Sequence, residues 1–278
     1  MSEEREKKKF NENDYPGWVE ETEDIEESED GEELEPYGMM SRIIGVFIEP
    51  GKAFRHIGTK PEILGAVLFC VFTFLISSLF TMSGMTELTI NSVSEQLAET
   101  GMTPEQLEMS LNVTAWMIRL SFITSTLSVI LIWLIVGLVA YIVGLFMGQE
   151  ASYKSSLAVV AYSMLPAVLI KQGIIATLVF MTGSWETLVA YQAAVMKSTL
   201  SLYALFGNSS LSNTVNALLI SVDPFMVWGL ILMAIGFRYA NKVRADQGWK
   251  TAIAVQIILI IASIPLVSMS LSKMSEGG

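Results

Sequence analysis

The sequence predicts an all-α, polytopic integral membrane protein: a five-helix transmembrane bundle with an interfacial N-terminal amphipathic helix. Composition points there first. Of 278 residues, 52% are apolar and only 16% are charged, against roughly 45–50% and about 25% in a soluble domain. Charge placement is the second observation. Residues 1–36 hold 16 of the 28 acidic and four of the 17 basic residues, and the other 242 hold 12 acidic and 13 basic. The third is a set of five stretches near the roughly 20 apolar residues that a helix needs to cross a bilayer core. An acidic tail is thus joined to a nearly neutral apolar body. That speaks against a soluble enzyme, and the lack of a basic stripe speaks against a nucleic-acid binder. Cys70 is the only cysteine, so no intrachain disulfide and no Cys-based zinc site are expected.

In chain order, residues 1–38 read as a disordered acidic cytoplasmic tail. Residues 20–35 are nearly all Glu, Asp and Ser, with only Ile25 and Leu34 to bury, too little to offset the entropy of ordering. No apolar run follows Lys7–Lys9, as a signal peptide would require. The tail reads as a solubilising extension, the alternative being a docking segment for a basic partner. Residues 39–60 form the amphipathic interfacial segment. Ile43, Ile44, Phe47, Ile48, Phe54 and Ile57 fall at helical spacing, and Arg42, Lys52, Arg55 and His56 are expected on the other side, toward headgroups. Pro50 breaks this helix or opens a second turn after Glu49.

Residues 61–272 form the membrane domain, with spans expected at about 62–83, 120–147, 155–181, 222–240 and 251–271. The second and third exceed the bilayer requirement and must tilt, kink or project. Five crossings put the termini on opposite sides. With the N-terminus inside, 13 basic residues lie on that side, Lys154, Arg238, Lys242, Arg244 and Lys250 among them. Arg119, Lys197 and Lys273 lie on the other, and Lys171 falls within a span. That asymmetry predicts a cytoplasmic N-terminus and an outer C-terminus, residues 273–278. The outer connection 86–119 carries a helix start at Thr103-Pro104-Glu105-Gln106, a capping box with proline at the first position. An amphipathic stretch from Leu188 to Tyr203 is expected along the outer leaflet. Asn112-Val113-Thr114 and Asn208-Ser209-Ser210 match glycosylation acceptors on the same side.

A catalytic constellation does not emerge, so the chain is expected not to be an enzyme and to need no cofactor or metal. His56, the single histidine, reads as a polar-face residue, and no zinc-protease, phosphate-loop or nucleophile-elbow pattern occurs. Two intramembrane ionisable residues stand out, because charge at membrane depth is costly. Lys171 lies in the third span, and Asp223 precedes Pro224 at the outer start of the fourth. A Lys171–Asp223 polar pair is geometrically allowed; the plainer reading is a snorkelling lysine and a capping aspartate. Ala140, Gly144 and Gly148 recur at four-residue spacing in the second span, with Gly229 and Gly236 along the fourth, as helix-packing residues that serve the bundle or self-association. Pro166 and Pro265 each remove a helix hydrogen bond and imply kinks. Trp116, Tyr153, Trp185, Tyr239 and Trp249 sit near span ends, as interfacial aromatics do.

The segment Glu49-Pro50-Gly51-Lys52-Ala53-Phe54-Arg55-His56-Ile57, followed by Lys60-Pro61, resembles the opening of Yip-type membrane domains, the family named for interaction with Ypt/Rab GTPases. Leu165-Pro166 in the third span and Val222-Asp223-Pro224-Phe225-Met226-Val227-Trp228 at the fourth are similar to that family's pattern. The resemblance covers about 41–271, with Pro50, Phe54, Pro166, Asp223, Pro224 and Trp228 as the family-like positions. It implies a non-enzymatic scaffold, membrane-organising or trafficking protein, with lipids, other membrane proteins or a second copy of itself as partners. The chain looks closest to the prokaryotic branch, which implies a prokaryotic cell membrane; a eukaryotic relative would sit in endomembranes. The acidic tail and the two outer connections depart from the eukaryotic pattern and argue against small-GTPase binding. The competing expectation is a small transporter or channel component with a path near Pro166, Lys171 and Asp223.

Overall fold

The computed structural model describes residues 38–98, 101–182, 200–208 and 210–276, and their regular structure is entirely helical. They lie in the compact unit Tyr37–Gly278. Two short helices come first, α1 (Met39–Ile48) and α2 (Pro50–Thr59). Glu49 separates them, and Pro50 is the first residue of α2, where its missing N–H leaves no hydrogen bond unmade. The single amphipathic segment expected from sequence is thus an elbow of two helices.

Long helices follow: α3 (Leu64–Ala98), α4 (Pro104–Phe146) and α5 (Tyr153–Thr182). Next come the short α6 (Leu202–Phe206) and α7 (Asn213–Ser221). Helices α8 (Pro224–Ala240) and α9 (Ala245–Glu276) complete the order. Thr103 and Gln106 form the expected reciprocal capping box, so α4 starts where the sequence placed a helix start. Helices α3 and α4 overrun the apolar stretches inside them, because a helix once nucleated gains a hydrogen bond with every residue added. At 43 residues and about 1.5 Å per residue, α4 is about 65 Å long, twice the thickness of a hydrocarbon core.

Among the described residues, α4, α5 and α9 each contain a stretch long and apolar enough to cross a bilayer. The pair α7–α8, bent by 55°, qualifies as one further, broken span. The apolar start of α3, Leu64–Ser77, is shorter than that length. Pro166 and Pro265 lie within continuous helices, α5 and α9.

Helix α5 is central, packed against α3, α4 and α8, and α9 packs on α8, α7 and α4. Every residue from 155 to 163 is buried. The core is dominated by small side chains, among them Ala140, Ala158, Val159, Val160, Ala161 and Ala252. Large side chains are shared between the core, where Phe54, Tyr162 and Phe237 are buried, and the exterior, where Leu68, Phe72, Leu131, Ile135, Ile257 and Ile261 are exposed. Small residues let helix backbones approach closely, and an apolar exterior on this scale is what a bilayer, not water, tolerates.

Candidate functional site

The elbow is set into the bundle. Ile43 and Val46 of α1, and Ala53, Phe54 and Ile57 of α2, belong to the same buried core as α4, α5 and α8. Phe47 meets Trp228 edge-on at 6.0 Å between ring centroids, and Arg55 stacks over Tyr239 at 5.6 Å. These contacts correct the expected amphipathic division. Arg42 and His56, assigned to the headgroup face, are 6% and 8% exposed, whereas Ile44 and Ile48 face outward with Met39 and Met40. The reason is that the bend at Glu49 gives each short helix its own buried face. Arg42 tolerates burial because its Nη1 donates to Lys60 O and to Glu62 Oε2, each at 3.2 Å. Its guanidinium also lies beside the Tyr162 hydroxyl. Burial, and then the positive charges of Arg42, Lys52 and Arg55, hold the His56 imidazole below its ordinary value of 6.5.

Beside the elbow, three loop and helix-end residues form a polar clasp that the sequence did not signal. Asn241, just past α8, donates from Nδ2 to Gln149 Oε1 at 2.7 Å. Gln149, after α4, donates from Nε2 to Thr251 Oγ1 of α9 at 2.8 Å. The Thr251 hydroxyl in turn donates to Gln247 O at 3.0 Å. All three side chains are buried. Each is a polar residue near a helix end with a charged neighbour in sequence, so only their meeting in space marks them.

Toward the other end of α8, Lys171 and Asp223 meet, with Nζ to Oδ2 at 2.6 Å. Asp223 also caps α8, its Oδ1 accepting the Met226 N–H at 2.7 Å. The aspartate side chain is 6% exposed and that of the lysine 37%, and Lys171 Nζ lies 5.7 Å from the Phe225 ring centre. At the next residue of α5, Gln172, Oε1 accepts from Ser77 of α3 at 3.1 Å. Asp223 thus closes the α7–α8 bend through two bonds: one oxygen completes the α8 N-terminus, and the other neutralises the lysine.

The small residues divide by role. A methyl at Gly236 would lie 2.5 Å from Val159 Cγ1 and 3.0 Å from Phe54 Cδ1, so α8 touches α5 and the elbow there. Gly144 would meet Ala151 Cβ at 2.8 Å, and Ala140 is fully buried. Gly229 has only ordinary contact, Ser163 O at 3.7 Å. Gly148, expected to pack a helix, instead sits beyond the end of α4 at φ +70° with open space around it, a left-handed position that glycine adopts without strain. Asn112 and Asn208 are both exposed. The stretch from Leu188 and the residue Trp185 lie largely outside the described residues. Also among the described residues, no group of three or more His, Cys, Asp or Glu could hold a metal, and Cys70 is a buried free thiol.

Apolar helices with an outward-facing apolar surface and small residues at their crossings define a helical integral membrane protein. The chain belongs to the Yip1 domain family, whose pattern matches residues 44–269, from α1 to the last turns of α9. No curated protein and no solved structure matches the chain.

Proposed function

We propose that the protein is a non-enzymatic scaffold that organises partner proteins or lipids in its membrane. The observation that carries this reading is the elbow: α1 and α2 are fixed to the bundle core through Ile43, Val46, Phe54 and Ile57, yet Met39, Met40, Ile44 and Ile48 are left outside. A rigid platform with an apolar edge, at the root of a strongly acidic N-terminal segment, suits docking better than chemistry. The polar side chains of the clasp are engaged with one another, which also fits a structural part.

In this reading the chain crosses five times, through α3, α4, α5, the bent α7–α8 pair and α9, with the N-terminus cytoplasmic and the C-terminus outside. Supporting it, Arg55 and Tyr239, Arg42 and Glu62, and the Gln149–Asn241–Thr251 clasp gather around the loops that carry Lys60, Lys154, Lys242 and Arg244, the basic side of the chain. Photo-crosslinking from Ile44 and Ile48 in native membranes, followed by pull-down, tests the role. Recovery of a defined partner supports it; recovery of none, not even a second copy, sinks it. Reporters fused to each terminus test the topology, and a cytoplasmic C-terminus would overturn five crossings.

One observation favours a second reading, a transport path. Lys171 and Asp223 are an ion pair, and the five-crossing reading puts them at membrane depth, where such groups often line a route. Liposome flux that Lys171→Met and Asp223→Asn each abolish would favour it, and flux unchanged by both would remove it.

A further inference from the structure

We infer that the protein pairs with a second copy of itself through the outward face of α4, in parallel, along a left-handed helix seam. The inference rests on the five-crossing reading above, which gives both copies the same orientation.

The face is drawn by spacing. Met109, Val113, Trp116, Leu120, Ile123 and Leu127 follow one another at intervals of four, three, four, three and four residues. That is the alternation of a heptad seam, in which each side chain fills a hole between four residues of a facing helix. All six are exposed, from 50% at Val113 to 71% at Met109. The opposite side of the same helix is occupied: Trp133, Val136, Gly137, Ala140, Val143 and Gly144 are buried in the bundle. Among the described residues the seam is therefore left outside the bundle, Trp116 carrying only the Arg119 guanidinium of its own helix, 5.7 Å from its ring centre.

Lipid accounts for only part of it. Counting about 1.5 Å per residue from the end of α4 at Phe146, Leu127 lies about 28 Å away and Met109 about 55 Å away. A bilayer is about 30 Å thick in its hydrocarbon and about 40–45 Å with headgroups. The repeat thus runs unbroken from hydrocarbon into water, where Val113 and Met109 have no lipid to cover them. A pattern that ignores the membrane boundary matches a helix that also crosses the boundary with the same repeat. A second α4 is such a helix, at the same depth and in the same direction, and a two-fold axis lets one face serve both partners. Its size is sufficient: six apolar residues exposed by half or more leave roughly 100 Å² each. Covering them in two copies buries roughly 1,200 Å², the lower bound of a stable interface. The structure also moves self-association away from Gly144 and Gly236, whose close contacts are already taken up inside the bundle.

The test is disulfide crosslinking of the full chain in native membranes, on a Cys70→Ser background. Val113→Cys and Leu120→Cys should give a band of twice the chain mass under mild oxidation. Ser125→Cys, exposed but on the far side of the helix, should give at least about tenfold less. Equal bands at all three positions, or no dimer band at Val113 and Leu120, overturn the seam. The unaltered chain supplies a measurement free of any folding defect: light scattering in mild detergent should give two copies per particle, and one copy counts against pairing. Labelling of Glu108→Cys by a membrane-impermeant thiol reagent from outside reports on topology alone, so a failure there is distinct from a failure to pair.

Discussion

Gln149→Ala probes the clasp most directly. The substitution removes the acceptor of the Asn241 amide and the donor to Thr251. Asn241 then keeps no side-chain partner in the clasp, because its other amide atom, Oδ1, is already buried without one. Thr251 is spared, since its hydroxyl still donates to Gln247 O. The buried Asn241 donor left unmade costs about 1–3 kcal/mol, and the lost bond to Thr251 adds about 1 kcal/mol. The sum is a loss of about 2–4 kcal/mol, or roughly 5–15 °C in melting temperature for a domain of this size. Thr251→Val, which removes the hydroxyl's bond to Gln247 O and leaves the buried Gln149 amide donor unmade, should cost a similar amount, about 2–4 kcal/mol. Adding Asn241→Leu to Gln149→Leu should recover at least 1 kcal/mol relative to additivity, because both polar partners then disappear together. The assay is thiol-reactive fluorescence of the detergent-solubilised protein on heating, with buried Cys70 as the reporter. A Gln149→Ala melt within about 2 °C of the parent would refute the assignment of the clasp as a stabilising network.

Other substitutions test the remaining contacts. Gly236→Ala should destabilise by about 1–3 kcal/mol through overpacking against Val159 and Phe54, whereas Gly229→Ala should be nearly neutral in the same melts. Asp223→Ala should be about 1 kcal/mol less stable than Asp223→Asn, since asparagine still caps α8; equal melts would remove the cap from the account. For His56, the folded protein binds fewer protons than the unfolded chain between its lowered pKa and the ordinary 6.5. Stability should therefore rise with pH through that window and level off above it. His56→Gln should flatten that slope, and an unchanged slope would show that another group causes it.

Much of the fold was legible because a bilayer imposes length and polarity directly on a sequence. The apolar stretches, the Thr103 capping box, the break at Pro50 and the cap at Asp223 follow from local rules that need no knowledge of neighbours. The family-like pattern at Pro50, Pro166 and Asp223-Pro224 was legible for the same reason. What local rules could not supply was facing. Arg42 and His56 looked like headgroup contacts because periodicity shows that a helix has two sides and not which neighbour covers each. The bend at Glu49 and the Glu62 carboxylate decide that. Gly148 shared its spacing with Gly144, yet only the end of α4 shows that it turns the chain rather than packs it. Gln149, Asn241 and Thr251 lie up to 102 residues apart, so no window along the sequence contains them together. Sequence alone thus determined which segments prefer lipid, where helices start and how charge is sorted. Tertiary structure decided which faces are used inside the bundle and which are left for partners, because a burial partner is a property of the packed chain and not of any one helix.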